Sequence, residues 1–450
     1  MTIAETLATF LIDTTYDDLP DQALDHAAMI ISSTIASAAC GKNIESAAII
    51  RDLEQERGGR PDATVWFDTG PKLPLVATAR VNALMSDAAA SDDSDLRNIV
   101  HAGTPLTACA LATAELTGAS GKDILAAIVV GYEAAGRIGE AILPGFSPRG
   151  HHGCMGAVFG GAVATARLLG LDAKQTAHTL ALCATSIGGL TAAANTSVAR
   201  EYHAGLATML GVEAAQAAQR GYTAELTIFE APRGFCAVYG GNAEASAGIV
   251  DGLGDAWDIV TDMAIKLVPG GHPYHALGEA AANAARSGGI TPDNVVSITA
   301  SRPGMTALSG PLHPETLIDM AHSPAYFLAA GTADHEFTWK HASAEKIADP
   351  IIHQLIDKVR VGPEPTENAN AYRQGATVSI ETTHGRTETN TVFVPKGAGC
   401  LGIDWADIDA KYRTLVPAAQ MSREQIEMSL NVIHAFRNVT NISALLDHLR

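Results

Sequence analysis

The chain has 450 residues, of which 47% are hydrophobic but only 5% aromatic, with 42 glycines and a formal charge of −19. That length accommodates two ordinary domains, or one large domain carrying a smaller inserted one. The acidity argues against broad attraction to nucleic acid or an anionic membrane surface, while leaving room for a local basic pocket.

Apolar content rich in alanine and glycine favours closely packed helices. No run of about 18 uncharged apolar residues stands out as a bilayer span, and the first 20 residues lack the positive region of a secretory signal. A cytoplasmic, membrane-free protein is the expectation. The six cysteines (Cys40, Cys109, Cys154, Cys183, Cys236 and Cys400) are scattered without a CxxC pair and read as reduced, mostly buried thiols.

From the N-terminus to about residue 265 the pattern is helical. One helix is predicted to begin at Thr104-Pro105, a capping hydroxyl ahead of a proline, and to stop at Gly118. Ser120 and Asp123 resemble a capping box that opens the apolar run 124–130. Gly153, Gly156, Gly160 and Gly161 recur at helical spacing and read as tight helix packing. No strand-to-glycine-loop context with a trailing Lys-Ser/Thr supports a phosphate cradle. Gly170 ends another helix, Asp172 with Gln175 caps the next, and a further helix runs from about Leu206 to Arg220.

After residue 265 the texture changes. Residues 295–300 and 376–381 alternate as half-buried strands do, and His384-Gly385 marks a hairpin into 388–394. Helices are predicted through 326–330 and 351–358, and the stretch 362–370 reads as a loop. Helices return at 423–436 and 442–449. The prediction is a mainly α protein: a large all-helical domain built from residues 1–265 and 401–450, with a smaller α+β lid domain, 266–400, inserted.

Four polar clusters could do chemistry. Asp92-Asp93-Ser94-Asp95 with His101 stands before a predicted helix N-terminus, which offers free N–H groups to an anion; a solvated acidic loop is the alternative. In the second, Arg149 suits a carboxylate, and His151 and His152 titrate near neutral pH; their spacing does not support a metal. Arg200, Tyr202 and His203 form an anion grip or plain surface polarity at a helix start. Lys266, His272, Tyr274 and His275 surround a Pro-Gly-Gly turn where the helical domain gives way to the lid, and domain boundaries favour ligand sites. An acidic chain that gathers cations in several turns points to an anionic ligand.

Several motifs then follow one another in order. Val76 to Ala83 leads into Asp92-Asp93-Ser94 and His101. Gly145 to Pro148 precedes His152-Gly153 and Ala166 to Asp172. Phe229-Glu-Ala-Pro-Arg-Gly-Phe235, Lys266 with His275, and Ala321-His-Ser323-Pro-Ala-Tyr326 complete the series. Together they resemble the MmgE/PrpD family, which includes 2-methylcitrate dehydratase, cis-aconitate decarboxylase and iminodisuccinate epimerase.

The resemblance implies a helical domain with an α+β lid, a homodimer, and a site between the two domains with no metal or organic cofactor. Asp93, Ser94, His101, His203, Lys266 and His275 stand at matching polar positions. Ala90, Ser147, Arg149 and Arg200 depart from the pattern of the dehydratase and decarboxylase members and point away from methylcitrate itself.

The expected function is a cofactor-independent hydro-lyase acting on a small polycarboxylate. An epimerase or isomerase, a decarboxylase, and a non-catalytic binder are the alternatives. In this scheme Arg149 and Arg200 hold substrate carboxylates and Lys266 offsets developing charge. One of His101 and His275 is base and the other acid, Asp93 orients a histidine, and Ser94, His151, Tyr202, His203 and His272 line the substrate.

Overall fold

Alanine and glycine let helices approach closely, and the first 265 residues use them that way. In a computed structural model of the chain, which describes residues 1–143, 145 and 148–450, two compact units form. Phe146 and Ser147 of the Gly-Phe-Ser-Pro motif lie outside the described residues. One unit comprises 1–194, 198–265 and 403–450; the other comprises 195–197 and 266–402. The first is a helical body with both chain ends in it, and the second is α+β, as the sequence predicts.

In the helical unit, Gly121–Ala141 packs along Cys154–Leu168. A Cβ on Gly131 would lie 2.8 Å from the Gly160 carbonyl oxygen, so the glycine spacing does mark a close helix contact. Ser120 with Asp123 and Asp172 with Gln175 form the capping boxes read from the sequence. The C-terminal helices Trp405–Leu415 and Arg423–His434 return to pack on Asp21–Gly41.

By length and composition Asp21–Gly41 could cross a membrane, which the sequence reading overlooked; 89% of its apolar window is buried among other helices. That burial accounts for its composition.

Three local details differ from expectation. The helix expected at Thr104 begins at Gly103, and its cap is not Thr104 but the Asp93 carboxylate, reaching the Gly103 N–H from ten residues upstream. The helix expected from Leu206 begins at Ala199, so Arg200, Tyr202 and His203 lie on its first turns rather than ahead of it. The body also contains a small antiparallel ribbon of β1 (Asp93–Asp95) and β2 (Met263–Ile265), with Asp93 opposite Ile265. Three-residue strands are too short to show an alternation.

The α+β unit is built on a four-stranded sheet in the order β4-β3-β5-β6. It contains β3 (Val295–Ser301), β4 (Val359–Val361), β5 (Ala376–Thr382) and β6 (Thr387–Val392). β3 and β4 run parallel, and β5 and β6 form the predicted hairpin. Ala376, Val378 and Ile380 alternate inward against the helix His275–Gly288, giving this unit its own core. Ser323 caps the helix Pro324–Asp334 by accepting the Tyr326 N–H, which explains the Ser-Pro-Ala-Tyr phrase.

Candidate functional site

The turn between helix Leu75–Ala88 and β1 carries the most concentrated chemistry. Ala90 in this turn and Ile99 after it both have positive φ, at 51° and 57°. Non-glycine residues in that region hold strain of roughly 1 kcal/mol or more and persist where surrounding contacts impose them.

The contacts here are strong. From helix Trp405–Leu415, the fully buried Lys411 donates to Ser33 Oγ at 2.7 Å, to the Ser91 carbonyl, and to the Asp92 carbonyl at 3.5 Å. Ser37 Oγ also donates to the Ser91 carbonyl, at 2.8 Å. Arg200 Nη2 grips the other end of the turn through the Asp87 and Ala88 carbonyls at 2.5 and 3.3 Å.

This clamp presents the pair Asp92 and His101. His101 Nδ1 lies 2.8 Å from Asp92 Oδ2 and 2.8 Å from the Asp93 carbonyl oxygen. Both neighbours only accept hydrogen bonds, so the proton resides on Nδ1 and Nε2 carries the lone pair. Asp92 is buried, whereas the His101 side chain keeps 24% of its surface exposed. Among the described residues Nε2 makes no hydrogen bond, so it is the nitrogen that can meet a ligand.

The sequence expectation therefore needs correcting at Asp93. Its carboxylate does not orient a histidine; it faces away, capping Gly103 at 3.0 Å and accepting from Tyr132 Oη at 3.3 Å. Adjacent residues of extended chain point oppositely, so Asp92 meets the imidazole. Ser94 is buried in β1, and its Oγ has no hydrogen-bond partner among the described residues; it lines no open surface.

Asp87 links this pair to a second group. Its carboxylate belongs with Asp92 and His101 to one cluster of oxygen and nitrogen donors, and it pairs with Arg200 Nε at 3.3 Å. Burial works against the Arg200 charge, but Asp87, Glu201 and Asp92 outweigh it and hold the guanidinium above its ordinary value.

Arg200 and His203 are three residues apart and share a helix face, whereas Tyr202 is turned from it. Tyr202 is half exposed and lies under the Arg80 guanidinium, 5.3 Å from the ring centre, so it is not part of the grip the sequence implied. His203 approaches His152, with ring centres 4.9 Å apart, and Cys154 lies beside them. Burial pulls the His203 imidazole down, with Asp87 opposing, and raises the Cys154 thiol to about 12, with Asp87 adding to the effect.

Arg149, expected to hold a substrate carboxylate, is exposed and donates instead to the Val238 carbonyl at 2.6 Å. His151 packs edge-on to Tyr239, 4.9 Å between centres, and burial followed by Arg149 lowers its pKa. Phe229 and Phe235 of the Phe-Glu-Ala-Pro-Arg-Gly-Phe motif clasp Phe159 at 5.7 and 5.4 Å, so that motif is an aromatic fastening.

The α+β unit has a polar group of its own. Lys266 is fully buried directly after β2. The His272 and His275 rings lie 4.6 Å apart between centres, tilted by 32°, and His275 Nε2 lies 3.3 Å from the Gly270 carbonyl oxygen.

Residues 5–247 match the MmgE/PrpD N-terminal domain and residues 269–433 the MmgE/PrpD C-terminal domain. The chain belongs to the MmgE/PrpD family. Among its relatives, the cis-aconitate decarboxylase of Mus musculus is 24% identical over 400 residues, covering 85% of this chain and 80% of that protein. The enzyme of the same name from Homo sapiens is 23% identical over 455 residues, covering 98% and 93%. That of Aspergillus terreus is 29% identical over 267 residues, covering 56% and 54%.

In this MmgE/PrpD chain, sequence reasoning selected His101 and Arg200 but passed over Asp87, Asp92 as the histidine's partner, and Lys411. Asp87 and Lys411 lay inside helical patterns as ordinary charges. Their burial was the missing signal, and no periodicity reveals it.

Proposed function

We propose that the chain is a lyase acting on a small polycarboxylate, with His101 moving the proton and Asp92 supporting it. The observation that carries this reading is the double acceptor at His101 Nδ1, which leaves Nε2 to take up and return a proton. Loss of CO2 or water beside a carboxylate builds negative charge on carbon, and a proton must be exchanged there. When Nε2 is protonated, the buried Asp92 carboxylate stabilises the imidazolium, and delivery to carbon returns the ring to its neutral Nδ1–H form. Arg200, committed to Asp87 and two carbonyls, holds the turn rather than gripping substrate.

The three relatives named above are cis-aconitate decarboxylases, so loss of CO2 from an unsaturated tricarboxylate is the reaction proposed first. The hydro-lyase expected from the resemblance has no comparable support, since nothing in the site's geometry favours water loss. The protein should be incubated in D2O with cis-aconitate, citrate, methylcitrate and aspartate-derived diacids, and followed by NMR. Release of CO2 with deuterium appearing on the product carbon is expected. Loss of a hydroxyl would reassign the chain as a dehydratase, and exchange without conversion as an epimerase. If every acid remained unaltered, the lyase reading would be abandoned.

A further inference from the structure

The α+β unit contains a cavity that the lyase scheme leaves unused. About 370 Å3 in volume, it lies between the start of helix His275–Gly288 and the loop that follows β3. Tyr274, Leu277, Arg302, Met305, Leu308 and Ser309 are among its walls, whereas Lys266, His272 and His275 are not. Small-molecule pockets start at about 300 Å3 and combine apolar walls with a few placed polar groups.

Two observations give this cavity a chemical preference. Arg302, directly after β3, is half-buried, and no carboxylate pairs with it among the described residues. It donates to the Pro273 carbonyl through Nη1 and to Gln374 Oε1, at 2.8 Å, through Nη2. A guanidinium carries N–H donors on all three nitrogens, so Nε and a hydrogen on each terminal nitrogen have no acceptor among the described residues. Burial pulls Arg302 below its ordinary pKa, with Tyr274 opposing, and a charge taken out of water ordinarily has a counter-ion. Glu364 accepts the Gly304 N–H at 3.1 Å and so holds the loop without pairing with the arginine. The second observation is a pair of hydroxyls on the cavity wall, Tyr274 Oη and Ser309 Oγ, 3.2 Å apart. Whichever donates to the other, one hydroxyl hydrogen remains for a ligand.

We infer that this cavity binds a small monocarboxylate with an apolar body, its carboxylate on Arg302 and its hydrocarbon or aromatic part against Leu277, Met305 and Leu308. The arginine fork matches the two oxygens of a carboxylate, and the charge-assisted pair supplies the missing counter-ion. Among the described residues Arg302 is the one cationic side chain in the cavity wall, so a second carboxylate on the ligand would lose its water without gaining a partner. The ligand therefore differs in class from the polycarboxylate proposed as substrate. The site lies within one compact unit and does not depend on which reaction the chain performs.

The test titrates the full-length protein with benzoate and with hexanoate by isothermal calorimetry. Saturable binding of one molecule per chain is expected, and benzamide, which lacks the charge, should bind at least tenfold more weakly than benzoate. Arg302→Met should weaken benzoate binding at least tenfold, with circular dichroism confirming that the variant is folded. Because Arg302 also holds the Pro273 carbonyl and Gln374, a second pair of variants carries the test should that one misfold. Ala307 is exposed on the loop that walls the cavity. Ala307→Asp places a negative charge there and should weaken benzoate binding several-fold, whereas Ala307→Asn, of the same size but neutral, should bind it nearly as the wild type does. No binding by the wild type, equal affinity for benzamide, or affinity unchanged in both Arg302→Met and Ala307→Asp would overturn the proposal.

Discussion

At the scale of single residues, the decisive feature is which atom faces which. His101 presents Nε2 because Asp92 and the Asp93 carbonyl occupy Nδ1. Replacing His101 with Gln keeps a polar side chain of similar reach but removes the titrating nitrogen. On whichever acid proves to be the substrate, kcat should fall by roughly 10²–10⁴, the usual contribution of a positioned acid or base, with KM changed little. Asp92→Asn offers an amide where a carboxylate supported the imidazolium, so it should lower kcat by a smaller factor and displace the pH–rate profile. Steady-state kinetics across pH would measure both, and wild-type kcat in His101→Gln would remove the imidazole from the mechanism. The candidate histidine was legible from its place beside three carboxylates. Which carboxylate it uses was not, because Asp92 and Asp93 differ only in the side of the chain to which each points.

Between elements, long-range contacts set the site. The Asp87–Asp92 turn is held by Lys411, more than 300 positions away in sequence, and by Arg200. Lys411→Met fits a long apolar side chain into the same channel but leaves Ser33 Oγ and the Ser91 carbonyl without their cation. Hydrogen bonds to a charged group contribute about 1.5–3 kcal/mol, so urea unfolding should show a loss of that order, and Lys411→Arg should restore part of it. A second contact tests the glycine stripe. Alanine at Gly131 would gain about 0.5–1 kcal/mol of helix propensity, but its Cβ would meet the Gly160 carbonyl. Overpacking against backbone costs about 1–3 kcal/mol, so the clash wins and Gly131→Ala should lower the thermal midpoint. Those glycines and the capping boxes could be read directly, being local in sequence. The Lys411 clamp could not, since a lysine within an amphipathic helix carries no sign of where it is buried.

Over the whole helical unit, the pH response is governed by a buried acidic network rather than by the net charge alone. Arg97 joins Asp95, Glu140, Asp258 and Asp262, while Glu133 accepts the Asp258 N–H and pairs with Arg137. Burial first, and Glu133 next, push the Asp258 carboxyl up to about 8 in spite of Arg97. Burial likewise raises Asp95 and Glu133. An acid whose folded pKa exceeds its unfolded value binds protons more tightly when native. Its stabilising contribution is therefore complete below the ordinary carboxylate range and is lost as pH rises through the folded value. Between about pH 4 and 8 this network should make the wild type progressively less stable. Asp258→Asn stays neutral throughout and should flatten that slope, so its thermal midpoint should gain on the wild type from pH 5 to pH 8 and run parallel above. Self-repulsion from the −19 charge also grows with pH, but nearly equally in both proteins, so it cancels in the comparison. Parallel melting curves across the whole range would show that Asp258 is ionised well below pH 8, and that Arg97 outweighs the burial around it.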